Sequence, residues 1–268
     1  MSSSSQGWIG LVLRCMAICG FVFLLLPIAL MIPLSLEPGE ILRLPKDEWS
    51  LRWYVEYFQN EAWLASTIVS FKVALGASAL SVVLGTSAAV GLRNAGPPLR
   101  RAFMAIALSP LVLPTIVIAI AIYGFFSTLQ LIGSITGLIA AHTILTLPIV
   151  LITVTTALSG VPEGLERAAS SLGASRLMAF FTVTMPLIAH GIAAGAALAF
   201  MLSFDEVVIG MFLSGGDAVT LPKRMLDGVF YEMTPMLAAV SSLLVLANFL
   251  CVLAFLCARP RVVQRTAN

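Results

Sequence analysis

Residues 160–187 read GVPEGLERAASSLGASRLMAFFTVTMPL, a long and weakly hydrophobic interruption in a half-chain otherwise made of long apolar runs. Pro162 stands where a first helical turn tolerates it, and Glu163 and Glu166 follow where acids complement a helix N-terminus. Leu165, Ala168, Ala169 and Leu172 then recur at three- and four-residue spacing, which predicts a short helix with one apolar face over 162–172. Gly173 is a natural stop for that helix. The face is built mostly from Ala and Ser, so another protein surface can approach its backbone closely. A second segment, Arg176 to Val183, leads to Pro186, where the next long hydrophobic run is entered.

Composition sets the environment of this stretch. The chain has 268 residues, 59% hydrophobic and 10% charged, against about 25% charged in soluble domains. A soluble protein has no means of hiding that much apolar surface, so the chain reads as an all-α integral membrane protein. A net charge of +2 is too small to point to nucleic acid. Cys15, Cys19, Cys251 and Cys257 lie in or beside apolar runs and read as small buried hydrophobes, neither a disulfide framework nor a metal site. A phosphate-binding P-loop ends in Gly-Lys. Lys46, Lys72 and Lys223 follow Pro45, Phe71 and Pro222, so no such loop exists. If the chain takes part in ATP-driven transport, the nucleotide belongs to another polypeptide and this chain itself binds no cofactor.

Six apolar spans are expected, each meeting the roughly 20 residues that a 30 Å hydrocarbon layer requires. After a serine-rich tail at 1–8, the first covers 9–34, too long for a signal-peptide core and followed by no small-x-small cleavage site. A polar loop at 35–61 carries Trp49, Trp53, Tyr54 and Tyr57, with Trp63 just beyond, as expected along a membrane interface. The remaining core, 62–258, holds spans at 62–92, 102–127, 135–158, 184–213 and 235–256, with the opening loop at 159–183 and a polar loop at 214–234. A tail at 259–268 closes the chain. Pro110 and Pro114 bend the third span, and the small residues Gly76, Ala77, Ser78, Gly85 and Ser87 suit close helix packing in the second.

Cation placement orients the spans. One set of ends carries Arg14, Arg93, Arg100, Arg101, Arg167, Arg176, Arg259, Arg261 and Arg265; the other carries Arg43, Lys46, Arg52, Lys223 and Arg224. The richer set belongs inside. Both termini and the 159–183 loop are therefore expected in the cytoplasm, and 35–61 outside.

The loop pattern resembles the cytoplasmic EAA loop of binding-protein-dependent ABC importer permeases, E-A-A, three residues, G, nine residues, I-x-L-P. Ala168, Ala169, Gly173 and Pro186 fall in register, with Val183 and Met185 at the Ile and Leu positions; Arg167 occupies the Glu position and Glu166 lies one residue early. LRWYVEYFQN at 51–60, RRAFMAIALSPLVLPTIVIAIA at 100–121, AHTILTLPIV at 141–150 and LSFDEVVIGMFLSGGDAVTLP at 202–222 are similar to the second permease of spermidine/putrescine importers. The resemblance implies the type I importer permease fold in a cell inner membrane. It further implies two ATP-binding cassette subunits, a second permease (homologous or identical) and a periplasmic substrate-binding protein. On it, Glu163, Leu165, Glu166, Arg167, Ala168, Ala169, Leu172, Gly173 and Pro186 form the ATPase-coupling loop, and a helix seated in the ATPase moves as a rigid body.

The candidate substrate path rests on Asp205, Glu206 and His142. An acidic pair inside an apolar span costs energy and calls for a role. At 1.5 Å per residue, Asp205 lies about 12 Å from the span end near Leu213 and His142 about 10 Å from its helix's outer start, so the two share a depth. Consecutive residues point about 100° apart on a helix, so at most one of Asp205 and Glu206 faces a pore squarely. The competing roles are interhelical hydrogen bonding, pairing with Lys72 and, for His142, packing. The expected cargo is a polyamine or related organic cation. Alternatives are the same importer class for an amino acid, opine, phosphate or ferric ion, and a secondary transporter, against which stands the lack of a repeat between spans 1–3 and 4–6.

Overall fold

The computed structural model describes residues 3–46, 48–93, 95–162 and 164–258. Glu163 and the 259–268 tail with its three arginines lie outside the described residues, as do the side chains of Cys251 and Cys257. The chain is helical: α1 Ser3–Leu34, α2 Arg52–Gln59, α3 Glu61–Arg93, α4 Pro97–Leu108, α5 Thr115–Thr128, α6 Ile135–Ser159, α7 Gly164–Ser171, α8 Arg176–Ala179, α9 Met185–Phe204, α10 Val208–Leu213, α11 Leu221–Tyr231 and α12 Met236–Ala258. No strand occurs among the described residues.

Four helical stretches, Gly10–Leu34, Glu61–Arg93, Ile135–Ser159 and Arg176–Phe204, are long and apolar enough to cross a membrane, and the bent pair α4–α5 makes a fifth if counted as one span. Several elements differ from the sequence reading. The span expected at 102–127 is two helices meeting at 101°. Pro110 and Pro114 supply no backbone donor, and Pro114 sits in an extended conformation at ψ 130°, so the ladder stops there. The fifth span begins earlier and ends sooner than 184–213. Arg176 to Phe204 is continuous, with α8 joined to α9 through a π-helical turn at Phe180–Thr184. That turn precedes Pro186, whose ring would otherwise strike the carbonyl four residues back. The loops expected at 35–61 and 214–234 contain helices α2 and α11.

The aromatic cluster also differs. Trp49 is 66% exposed, but Trp53, Tyr57 and Trp63 are buried in protein. The Trp53 indole donates to the carbonyls of Glu37 (2.9 Å) and Gly39 (3.2 Å), so its polar edge is satisfied by backbone where an interfacial ring would use water.

The chain divides into two compact units. The first comprises residues up to Glu61 and those from Asp227 onward, with α1 and α2 both packed on α12. Its polar contacts run from Ser35 Oγ to the Tyr54 hydroxyl (2.6 Å) and on to Ser242 Oγ (2.7 Å). Glu37, fully buried, accepts from Arg43 Nε at 3.0 Å.

The second unit, Ala62–Leu226, is built on α6 and α9. Gly191, Gly195 and Ala199 recur every fourth residue and are buried, forming one small-residue stripe. A Cβ on Gly191 would sit 2.4 Å from Ala157 Cβ, and one on Gly195 2.4 Å from Thr153 Oγ1. Backbone therefore meets backbone along this seam. Two apolar clusters flank it. One joins Val73, Ile122, Phe126, Leu138, Ile209 and Leu213; the other joins Leu92, Val150, Val154, Leu158 and Ile188. Between them run hydroxyl contacts, Ser81 Oγ to Thr146 Oγ1 at 2.7 Å and Ser78 Oγ donating to the Ala196 carbonyl at 2.8 Å. In an apolar surrounding each such group needs a partner, and these pairs tie α3 to α6 and α9.

Candidate functional site

Helix α7 is the short element expected from the opening stretch, running from Gly164 to Ser171. Its end is specified by backbone bonds. Ala174 N donates to the Ala169 carbonyl (3.1 Å) and Gly173 N to the Ser170 carbonyl (3.0 Å), with Gly173 at φ +90°. This pair of bonds is the Schellman arrangement, in which the residue after the cap takes a left-handed conformation. A Cβ at Gly173 would meet no atom within 4 Å, so Gly is required there by conformation and not by space.

The face expected to be apolar stands open. Leu165 is 40% exposed and Leu172, at the tip, 90%. Ala168 is exposed and Ala169 half-buried, Arg167 is exposed, and Pro186 lies exposed in the first turn of α9. Glu166 behaves differently. Arg93, the last residue of α3, places Nη1 3.3 Å from Glu166 Oε1 and donates through Nη2 to the Val161 carbonyl at 3.0 Å. Thr184, closing the π-turn and itself buried, donates its hydroxyl to the same Glu166 oxygen. Beside this junction lies a cavity of 1160 Å³ lined by Val82, Val90, Arg176, Phe180 and Phe181 among others.

At the far end of α9 the acidic pair stands in a helix break, not within a helix. Asp205 is the C-cap of α9, its N–H bonded to the Met201 carbonyl, and it is exposed. Glu206 turns back on the chain, and Oε1 accepts from the N–H groups of Val208 (2.7 Å) and Ile209 (3.0 Å). Those are free donors at the start of α10, and a side-chain carboxylate that takes them competes with helix continuation. Glu206 is thus held by backbone amides, while Lys72 is exposed on α3.

His142 is buried on α6, with Nδ1 3.1 Å from the Ser203 carbonyl and 2.8 Å from Ser203 Oγ. A carbonyl only accepts, so Nδ1 carries the proton. Ser203 O is one of the carbonyls left open by the end of α9, and the imidazole closes it. The structure thereby brings His142 to the segment that carries Asp205, through Ser203. Sequence reasoning missed three of these partners: Arg93, counted only as an orienting charge; Thr184, read as the first residue of a span; and Ser203, inconspicuous among apolar neighbours.

Residues 81–268 match the family described as binding-protein-dependent transport system inner membrane component. The chain is 31% identical over 232 residues to the Escherichia coli K12 putrescine transport system permease protein PotI, covering 84% of this chain and 82% of that one. It is 26% identical to the Haemophilus influenzae spermidine/putrescine transport system permease protein PotC, covering 85% and 88%. Among solved structures, a chain of a bacterial ABC transporter involved in the import of the acidic polysaccharide alginate superposes with a TM-score of 0.74 at 15% identity, over 98% of this chain and 99% of that one; this likeness concerns the fold alone. Residues 81–268 cover most of the chain, and with the apolar helices described above they settle its class: it belongs to the binding-protein-dependent inner-membrane components, as a multi-pass ABC importer permease subunit that works with an ATPase and a binding protein and is not itself an enzyme.

Proposed function

We propose that the chain is one of two permeases in a polyamine importer, passing putrescine, spermidine or a related organic cation inward. In this reading six spans cross the membrane, with α4–α5 as one and α12 as the last, and both termini lie in the cytoplasm. The 160–183 loop then meets one of two ATP-binding cassette subunits, which hold the ATP. The exposed Leu165 and Ala168 of α7, with Leu172 just past its end, supply the docking face, and the Schellman turn fixes that end.

The observation that carries the cation reading is the placement of Asp205. It stands exposed at a break between two apolar helices, while its neighbour Glu206 is already occupied by backbone amides. An ionised carboxylate open to the path attracts a passing ammonium without caging it, as transport requires. The similarity to putrescine and spermidine/putrescine permeases over more than four-fifths of the chain supports the same cargo. His142 serves as a holder of the α9 end rather than as a cation contact.

The test is uptake of labelled putrescine and spermidine by proteoliposomes holding the complete importer and its binding protein. Asp205→Asn is expected to cut uptake strongly while subunits still assemble. Glu206→Gln is expected to act chiefly on stability, because the two amide bonds weaken without disappearing. Normal uptake by Asp205→Asn removes the charge from the path. Uptake of neither polyamine by the native complex moves the cargo to another solute.

A further inference from the structure

Three elements that a moving permease has to keep together converge on one carboxylate oxygen. Glu166 points from α7 toward the ends of α3 and α9, with 39% of its side chain exposed. Its Oε1 accepts from Arg93 at the end of α3 (3.3 Å) and from the hydroxyl of Thr184, which closes the π-turn at the base of α9. The second arm of Arg93 holds the carbonyl of Val161, where the chain leaves α6 toward α7. Arg93 is mostly covered, with 17% of its side chain exposed. A charge-assisted contact is stronger than a neutral one, and the half-open Glu166 leaves this one partly screened by solvent.

We infer that Arg93, Glu166 and Thr184 form a latch that makes α7 one rigid piece with the inner ends of α3 and α9, so that a displacement of α7 is delivered to two membrane helices at once. The inference rests on the coupling role proposed for α7 and adds its transmission path. Glu166 is then a positioning residue acting inside the permease, and it makes no contact with the ATPase. The π-turn fits this part. Such turns are local insertions in a helix, frequent at functional positions, and this one ends on the residue that grips Glu166. Without the latch, α7 keeps its packing on α8 and the π-turn and its chain connections, Pro162 before it and the Gly173 turn after it, but loses the Arg93–Glu166 contact to α3. A push on α7 would then reach the end of α3 less directly.

The experiment uses the complete importer with the four native cysteines replaced. Spin labels are attached at Ser170→Cys on α7 and Gly91→Cys on the open face of α3, where an added Cβ meets no atom within 4 Å. The native latch is expected to give one narrow distance that stays the same with and without trapped ATP. Glu166→Gln and Arg93→Gln are each expected to lose that single distance. The double variant should fall short of the sum of the two singles, because they share one contact. Putrescine moved per ATP hydrolysed should fall about tenfold, within the ordinary range of coupling free energies, while the ATPase subunits still co-purify. Thr184→Val removes only a hydroxyl and provides the same reading should a charge variant fail to insert. An unchanged narrow distance in these variants overturns the latch, as does an additive double variant. Loss of the ATPase subunits from Glu166→Gln also overturns it, since the carboxylate would then be a docking group. A separate variant, Leu172→Glu at the exposed tip, tests the coupling role itself. If it leaves ATPase retention unchanged, that role fails, whatever the spin labels report.

Discussion

Replacing Gly191 with alanine adds one methyl group where α9 lies against α6. The added carbon would stand 2.4 Å from Ala157 Cβ and 3.2 Å from the Thr153 carbonyl oxygen. Two carbons sit comfortably at about 3.5–4.0 Å, so the helices have to separate by roughly 1 Å or more at this level, measured against that contact distance. The second contact is backbone, so no rotamer change relieves it. Overpacking of this kind costs about 1–3 kcal/mol, while alanine gains at most about 1 kcal/mol over glycine by helix propensity. With the full propensity gain the balance is a net loss of up to about 2 kcal/mol, the difference of those two terms. For a chain of this size that lowers the melting temperature by up to roughly 8 °C, at about 2–4 °C per kcal/mol. The measurement is thermal unfolding of the purified subunit in detergent, followed by fluorescence-detected size exclusion. The partner change Ala157→Gly removes the Cβ that is struck first, and the combination with Gly191→Ala is expected to recover part of the loss, less fully because the Thr153 carbonyl stays. Gly191→Ala with a melting temperature equal to or above the native one would refute the close seam. So would a double variant whose loss is the sum of the singles, because contacting residues have to couple.

Gly173→Val puts a β-branched residue at φ +90°; the left-handed region costs ordinary L-residues about 1–2 kcal/mol and β-branched ones more. The variant is expected to insert normally but to lose ATPase subunits on co-purification, and full retention would show that the α7 end is not read by the partner. Single cysteines at Ser50 and Ser170, in a background lacking the four native ones, should react in opposite ways with an impermeant thiol reagent added to intact cells with a permeabilised outer membrane. Ser50→Cys is expected to label and Ser170→Cys to stay unlabelled, and the reverse pattern inverts the topology.

Much of the fold was legible because apolar length and helix punctuation are local. The extents of α3 and α6 follow from long apolar runs, broken in α3 by Lys72, and α7 from a three-and-four spacing closed by Gly173. The elements that escaped depend on what stands opposite. Gly191 and Gly195 acquire meaning only when α6 lies against them. Trp53 reads as an interfacial ring until the carbonyls of Glu37 and Gly39 take its N–H. The stretch from Arg176 to Val183 reads only as a second segment leading to Pro186, yet the π-turn carries the helix through it and spares Pro186 a clash.

The acids show why the site was harder to read than the fold. Sequence gives a carboxylate its charge and its depth, but in apolar surroundings its role is decided by which donors reach it, and those come from folding. Glu37 is claimed by Arg43, Glu166 by Arg93 and Thr184, and Glu206 by the amides that open α10. Each of these acids is thereby committed to holding the chain together. Removing charge from any of them is a structural perturbation before it is anything else. Asp205 shares a sequence neighbourhood with Glu206, and on an unbroken helix the two would be alternatives separated only by their angle. The break after Phe204 separates them by function instead: one side chain folds back to cap the next helix, and the other is left exposed at the break. The cation reading therefore concentrates on a single residue. Its neighbour supplies a comparison, since Glu206→Gln alters the same charge count at nearly the same depth, acting on the α10 amides and leaving the exposed carboxylate of Asp205 in place.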